Sequence, residues 1–367
     1  MKFLFLLPCF FICTSFAQGQ SMAEEEAAVR ATLLDYINGR NQGDTARLSS
    51  AFHPQADLRY TNQDGQLGIW PVGDYIGRIE PGRTANCIAR IVSIDILGQG
   101  AQAKIELEYP NFKFADYINL QKIGGQWLIA VKTFSRQPIE ENKRILFVLT
   151  SHEDMGDTGR PTGLHLGEVA HVYKPLAEAG FEIDFASPLG GDTYMYGVDM
   201  NDETTRWFVQ NPTVWYRFTH AMTPDQIDAN KYAAVYFPGG HGTMWDLPDN
   251  ELLNQTTANI YDRGGIVAAV CHGPSGLVNV QLANGDYLVS GKRMTSFTDS
   301  EETAARAADS VPFLLETKLR ARGARFIGAE DWTENVIVDD RLITGQNPAS
   351  AAGIAEEILR IINQPTH

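Results

Sequence analysis

Gly264-Gly265-Ile266-Val267-Ala268-Ala269-Val270-Cys271-His272-Gly273-Pro274 is the stretch from which the fold is read. Two glycines release an unbroken apolar run. A run without polar alternation is a strand covered on both faces, as in a parallel sheet. It ends in Cys-His, and small residues follow at once. That pattern is a nucleophile elbow, the strand-to-helix turn that lifts one side chain above the sheet. Cys271 would then stand at a helix N-terminus, where free N–H groups and the helix dipole favour thiolate over thiol. A thiolate is the competent nucleophile. The alternative is a structural cysteine, common in apolar strands. The place at the strand's end, with His272 beside it, favours chemistry.

Working outward, residues 233–237 form another apolar run, closed by Pro238-Gly239-Gly240-His241-Gly242. Gly239 and Gly240 can bring backbone N–H groups to a developing oxyanion, with His241 beside them for substrate. Read alone, this is as well a plain strand–helix turn. Two such ends at the carboxyl edge of one sheet make a site. Thr162-Gly163-Leu164-His165-Leu166-Gly167-Glu168 follows the first strand of this half. A desolvated Glu168 would keep its proton and hydrogen-bond the sulfur; otherwise it is a helix-start carboxylate. His165, Glu168 and His171 step by three, which spreads them over about 120° of a helix and does not match metal-ligand spacing. No metal is expected.

Residues 143–364 alternate strand and helix. Strands are expected at 144–149, 181–186, 233–237 and 265–270, with helices at 167–179, 224–230 and 249–263. The reading is a doubly wound, mostly parallel, flavodoxin-like α/β sheet. Residues 22–136 have another rhythm. Val29, Leu33, Tyr36 and Ile37 keep helical spacing after Glu24-Glu25-Glu26. Asp44 caps a second helix through Leu48 and Phe52. Strand signals dominate from Leu58, with alternation at 88–96 and 103–107 and a hairpin at Gly124-Gly125. This is an α+β cone, a curved antiparallel sheet on helices. The polar run 135–142 contains the linker, 137–142.

The chain has 367 residues, with 45 Asp plus Glu against 30 Lys plus Arg, a formal charge of −15. Such a surface repels phosphate backbones, so nucleic acid is not an expected partner. Lys2, the apolar run 3–12 and Ser15-Phe16-Ala17 read as a secretory leader, residues 1–17, too short to span a bilayer. The expected location is periplasmic or secreted. Cys87 and Cys271 alone would remain of four cysteines, which makes no disulfide framework.

Taken together, residues 143–362 resemble the DJ-one/PfpI superfamily, relatives of the class I glutamine amidotransferases. The resemblance is carried by Thr162-Gly163 with Glu168, Ala186-Ser187-Pro188, 238–242 and 269–274. Further on it is carried by 296–302, 311–316 and Leu342-Ile343-Thr344-Gly345-Gln346-Asn347-Pro348-Ala349-Ser350. The last three blocks look like the heat-shock chaperone and glyoxalase III branch. The resemblance implies Cys271 as nucleophile with His272 beside it. It implies Glu302 as the acidic partner, with Glu301 the alternative, and Glu168 as a protonated carboxyl. It implies cofactor-free conversion of a small carbonyl substrate, methylglyoxal, to lactate. Amide hydrolysis is the runner-up, and a secreted holdase or thiol stress sensor the third reading. Residues 22–136 resemble the lumazine-binding-like and SnoaL-like members of the nuclear transport factor two-like superfold. The match rests on Tyr36, Arg40, 41–44, 51–54, 115–120 and 123–132. Such a cone implies a small apolar ligand or a dimer contact. His53, Asp116 and Tyr117 either line that cavity or cap and pack.

Overall fold

The computed structural model describes residues 13–109, 112–138 and 143–363, with side chains from Met22 onward. The expected leader lies, up to residue 12, outside the described residues. No helix among those residues is long and apolar enough to cross a membrane. The chain divides into two units, Met1–Ile139 and Glu140–His367.

In the first unit α1 (Cys13–Gln42) buries Val29, Leu33, Tyr36 and Ile37. The short α2 (Thr45–Ser50) is capped by Asp44, whose carboxylate accepts the Arg47 N–H. It stops short of the expected end. Phe52 packs edge-on against Tyr36 at 5.7 Å and already pairs as sheet. Then come β1 (Phe52–Thr61), β2 (Leu67–Pro71), β3 (Ile88–Leu97), β4 (Gly100–Tyr109), β5 (Phe112–Ile123) and β6 (Gln126–Pro138). They form one sheet in the order β2-β1-β6-β5-β4-β3. Its inward positions, among them Leu58, Ile105, Leu107, Ile118, Leu120 and Ile129, close a core with α1. Gln137 and Pro138, assigned to the linker from sequence, belong to β6. The hairpin partner β5 reaches that far, pairing Phe112 with Pro138. Backbone pairing overrides the polar composition.

The second unit begins with β7 (Arg144–Val148), all of it buried. It continues with α3 (Leu166–Glu178), β8 (Glu182–Ala186), β9 (Ala234–Phe237), α4 (Glu251–Asp262), β10 (Ile266–Val270), β11 (Val336–Asp339), β12 (Leu342–Gly345) and α5 (Ala351–Ile362). The sheet order is β11-β12-β10-β9-β7-β8, parallel except for the edge strand β11. Apolar clusters cover both faces, as unalternating strands require. The single helix expected over 224–230 is instead two 3₁₀ turns, Pro224–Gln226 and Ala229–Lys231. Asp228 interrupts it by accepting the Asn230 N–H with its side chain, which turns the backbone out of the helix.

Candidate active site

β10 delivers Cys271 to the carboxyl edge of the sheet with φ 59°. That left-handed conformation costs a non-glycine residue on the order of 1–3 kcal/mol and persists where the surroundings dictate it. Here they do. The Cys271 N–H donates to Gly345 O at 3.0 Å, and its carbonyl accepts the Phe297 N–H at 2.9 Å. Gly273 lies so close to β9 that a Cβ there would sit 2.0 Å from Phe237 O. The chain beyond is a 3₁₀ turn, Gly273–Leu277, rather than the expected α-helix. This corrects the basis for a resting thiolate. Five residues of 3₁₀ carry little aligned dipole, and Cys271 is 3% exposed. Burial pushes its thiol up, as does an ionised Glu168 beside it; the N–H groups of Gly240 and His272 pull the other way. The sulfur therefore rests as thiol and needs a base.

His272 stands where such a base would act. Its Nδ1 lies 3.3 Å from Cys271 Sγ, and its Nε2 lies 2.8 Å from Glu302 Oε2. Burial, helped by His241, pulls the imidazole down to about 4, against the pull of Glu302. It is neutral at pH 7. Burial opposes ionisation of Glu302, yet hydrogen bonds from His241 and His272 prevail and hold it at about 2. An ionised Glu302 accepts, so His272 carries its proton on Nε2 and turns the Nδ1 lone pair to the sulfur. Glu302 also takes His241 Nε2 at 2.8 Å on its other oxygen. Glu301, the alternative, is engaged elsewhere. It forms a capping box with Thr298 and accepts Trp332 N–H and the Asn347 amide.

Glu168, in the first turn of α3, is fully buried. Burial pushes its carboxyl up to about 8, against the Gly239 N–H and Cys271. It is protonated at neutral pH. Gly239 N–H donates to Glu168 Oε2 at 2.6 Å. This corrects the oxyanion assignment: Gly239 is already spent on Glu168. The donors turned to the sulfur are the N–H groups of Gly240 and His272.

Sequence reasoning gave His165 only a metal reading and passed over Tyr196. The two pair on short strands, Tyr196 opposite His165, with rings edge-to-face at 5.4 Å. His165 Nδ1 and Glu168 Oε1 face each other at 3.8 Å, both buried and both without a hydrogen-bond partner. Burial holds His165 down to about 4. Tyr196 OH accepts the His241 N–H at 3.2 Å and lies 3.3 Å from its Nδ1. No local signal marks Tyr196, since a two-residue strand joins it to the site. His171 turns away to Asp202 at 3.0 Å, so the three-step series does not converge. The donor atoms of His241, His272 and Glu302 lie within 4.8 Å of one another. The carboxylate already bridges the two imidazoles, so a cation there would sever the link that orients His272.

Residues 162–361 match the model of the DJ-1/PfpI family. The chain belongs to the DJ-1/PfpI family. Residues 24–135 match a second model, described as putative lumazine-binding. The chain is 33% identical over 232 residues to the glutathione-independent glyoxalase HSP31 of Saccharomyces cerevisiae, covering 58% of this chain and 95% of that one. It is 30% identical over 228 residues to glyoxalase 3 of Candida albicans, covering 59% and 97%. Among solved structures it resembles the Francisella tularensis Rapid Encystment Protein 24 kDa, with TM-score 0.59 and 33% identity over 60% of this chain and all of that one. It also resembles glyoxalase III of Candida albicans, with TM-score 0.53 and 28% identity over 59% and 96%. Every one of these likenesses to named proteins falls on the family's unit, where the Cys271 site lies.

Proposed function

We propose that this protein is a glutathione-independent glyoxalase that converts 2-oxoaldehydes such as methylglyoxal to 2-hydroxy acids. The observation that carries the reading is the run Cys271 Sγ–His272 Nδ1 at 3.3 Å and His272 Nε2–Glu302 at 2.8 Å, beside a protonated Glu168. The names of the relatives agree with it.

Cys271 adds to the aldehyde carbon while its proton passes to His272 Nδ1. The new C–S bond leaves the oxygen against the N–H groups of Gly240 and His272, and protonation there gives a hemithioacetal. His272 then takes the proton from C1. Glu168 donates to the C2 oxygen as the enediol forms; His272 then returns its proton to C2 while the C1 hydroxyl gives its proton back to Glu168, which yields a thioester of the 2-hydroxy acid. Water, activated by His272, cleaves it and restores the thiol. One water is consumed and no electron leaves the system. Such acid–base transfers are each worth ~10²–10⁴-fold in rate. The orphaned pair His165 Nδ1 and Glu168 Oε1 suits the second oxygen of a vicinal dicarbonyl.

The test is lactate formation from methylglyoxal without glutathione, lost by ~10³-fold or more in Cys271→Ala. Normal turnover in that variant ends the proposal. Cys–His–Glu order also suits acyl transfer. Release of ammonia from small amides, with oxoaldehydes inert, would promote that second reading.

A further inference from the structure

Two groups of buried polar side chains stand outside the steps of the proposed reaction. The first lies in the cone, where Asp116 Oδ2 accepts Tyr36 OH and Lys132 Nζ and all three side chains are sealed from solvent. Tyr117 is exposed, and His53 accepts the Gln55 N–H in a local turn. None of His53, Asp116 and Tyr117 walls the cone's cavity of about 550 Å³.

The second group surrounds Glu302, which lies in the first turn of the helix Asp299–Ala304 and is buried. Its Oε2 takes His272 Nε2 and its Oε1 takes His241 Nε2, each at 2.8 Å. A carboxylate bound through both oxygens cannot turn about its last bond without losing one partner. His241 therefore fixes the plane in which Glu302 meets His272. The two imidazoles lie 4.0 Å apart, and Phe297 covers His272 at 4.4 Å.

The other nitrogen of His241 is held as well. The ionised Glu302 accepts, so His241 carries its proton on Nε2 and leaves Nδ1 as an acceptor. Tyr196 OH lies 3.3 Å from that Nδ1 and accepts the His241 backbone N–H at 3.2 Å. Burial pushes the Tyr196 hydroxyl well up, so it keeps its proton and donates. Donation then runs in one sense, from Tyr196 to His241 and from His241 to Glu302, with His272 donating to the other oxygen. It leaves the His272 Nδ1 lone pair turned to Cys271 Sγ at 3.3 Å. Tyr196 is itself placed by the two-residue ladder that pairs it with His165.

We propose that His241, oriented by Tyr196, is a positioning residue: it holds one oxygen of Glu302 so that the other keeps the His272 Nδ1 lone pair on the sulfur of Cys271. This role differs from the substrate contact expected of His241 from sequence, since it acts through Glu302 and not on the reacting atoms. It rests on the glyoxalase reading for turnover, and on the Cys271 thiol alone for alkylation.

The experiment compares the full-length protein with His241→Leu, His241→Gln and Tyr196→Phe. It reads methylglyoxal kinetics, and the rate of iodoacetamide alkylation against pH at the Cys271 peptide by mass spectrometry. His241→Leu should lower kcat roughly tenfold, the worth of one hydrogen bond to a charged acceptor, with KM kept within about twofold and alkylation slowed by a similar factor. His241→Gln, whose amide nitrogen can replace Nε2 as donor, should recover kcat to within about threefold. Tyr196→Phe keeps the ring and should lose roughly threefold, because the hydroxyl holds His241 and not the carboxylate. The groups that face His272 are Cys271, His241, Glu302 and Glu301; His241 pulls its imidazole down and the two carboxylates pull it up. Loss of His241 should therefore move the acid limb of alkylation to higher pH, which a merely structural role would not do. A loss in His241→Leu that His241→Gln does not recover overturns the proposal. So does a raised KM with kcat kept, an unmoved acid limb, or an unchanged Tyr196→Phe. If the wild type forms no lactate, the glyoxalase reading falls by itself, and the alkylation rates at Cys271 decide the role of His241.

Discussion

Cys271 works against its surroundings. Its backbone is held at positive φ and its thiol is pushed up by burial, so the proposed reaction takes His272 as base and Glu168 as acid. Their ionisations bracket the working range. His272 is neutral above about 4, and Glu168 keeps its proton below about 8. The pH profile of kcat/KM for methylglyoxal should show limbs near those values, and Glu168→Gln should abolish the alkaline limb. A limb that stays in the variant would take the acid role from Glu168. Stability moves with the same proton. The folded carboxyl titrates near 8, well above the ordinary 4.5 of a glutamate. The folded state therefore holds a proton the unfolded chain releases, and stability falls as pH rises across that window. Glu168→Gln removes the loss and should stabilise the protein by roughly 3 kcal/mol at pH 7, read by denaturant unfolding at pH 4 and 7. His165→Phe, which fills the ring's space, should raise KM for methylglyoxal by roughly tenfold with kcat kept within about threefold. An unchanged KM would remove His165 from substrate binding. At this scale Cys271 and His272 were legible because they are adjacent in sequence. Glu302 was separable from Glu301 only by seeing which one the capping box takes. The exchange of Gly239 for His272 as N–H donor had no local mark, since it follows from Glu168 reaching across from α3.

Elements were legible where one periodicity ruled. β7 and β10 are wholly buried apolar runs, and α1 shows its apolar stripe, so all three stand in the sequence. The turn after Cys271 does not. Its 3₁₀ geometry comes from the close approach of Gly273 to Phe237 O, a contact between chain segments 36 residues apart. Gly273→Ala should force β9 and the elbow apart. The expected outcome is a loss of ~10²-fold in turnover, with near-wild-type content of helix and strand by far-ultraviolet dichroism. Retained activity would show that the elbow tolerates the added carbon. The helices Glu203–Gln210 and Pro212–Thr219 also escaped the sequence reading. They are short, and Asn211 ends one and caps the next, so neither shows a full apolar period by itself.

The whole molecule carries separate hydrophobic cores. One runs from Val29 to Ile129, and the others lie between Ile145 and Ile358. Calorimetry should resolve two transitions. Leu33→Ala, a fully buried position, should lower one by the equivalent of ~2–5 kcal/mol and leave the other in place. A single transition that shifts as a whole would show that the two cores unfold together. The net charge of −15 was readable without structure because net charge needs no fold. The division into a cone and a doubly wound sheet was equally open, since period two and the strand–helix rhythm are local properties of the chain. The inner polar layer of the cone was not. Asp116, Lys132 and Tyr36 stand on three elements, and only closure of the sheet on α1 sets them together. Chain order decided which residues alternate, cap and turn, because those energies act over a few bonds. Tertiary packing decided which acid stays protonated and which N–H faces the sulfur, because burial and neighbouring charge arise only when distant segments meet.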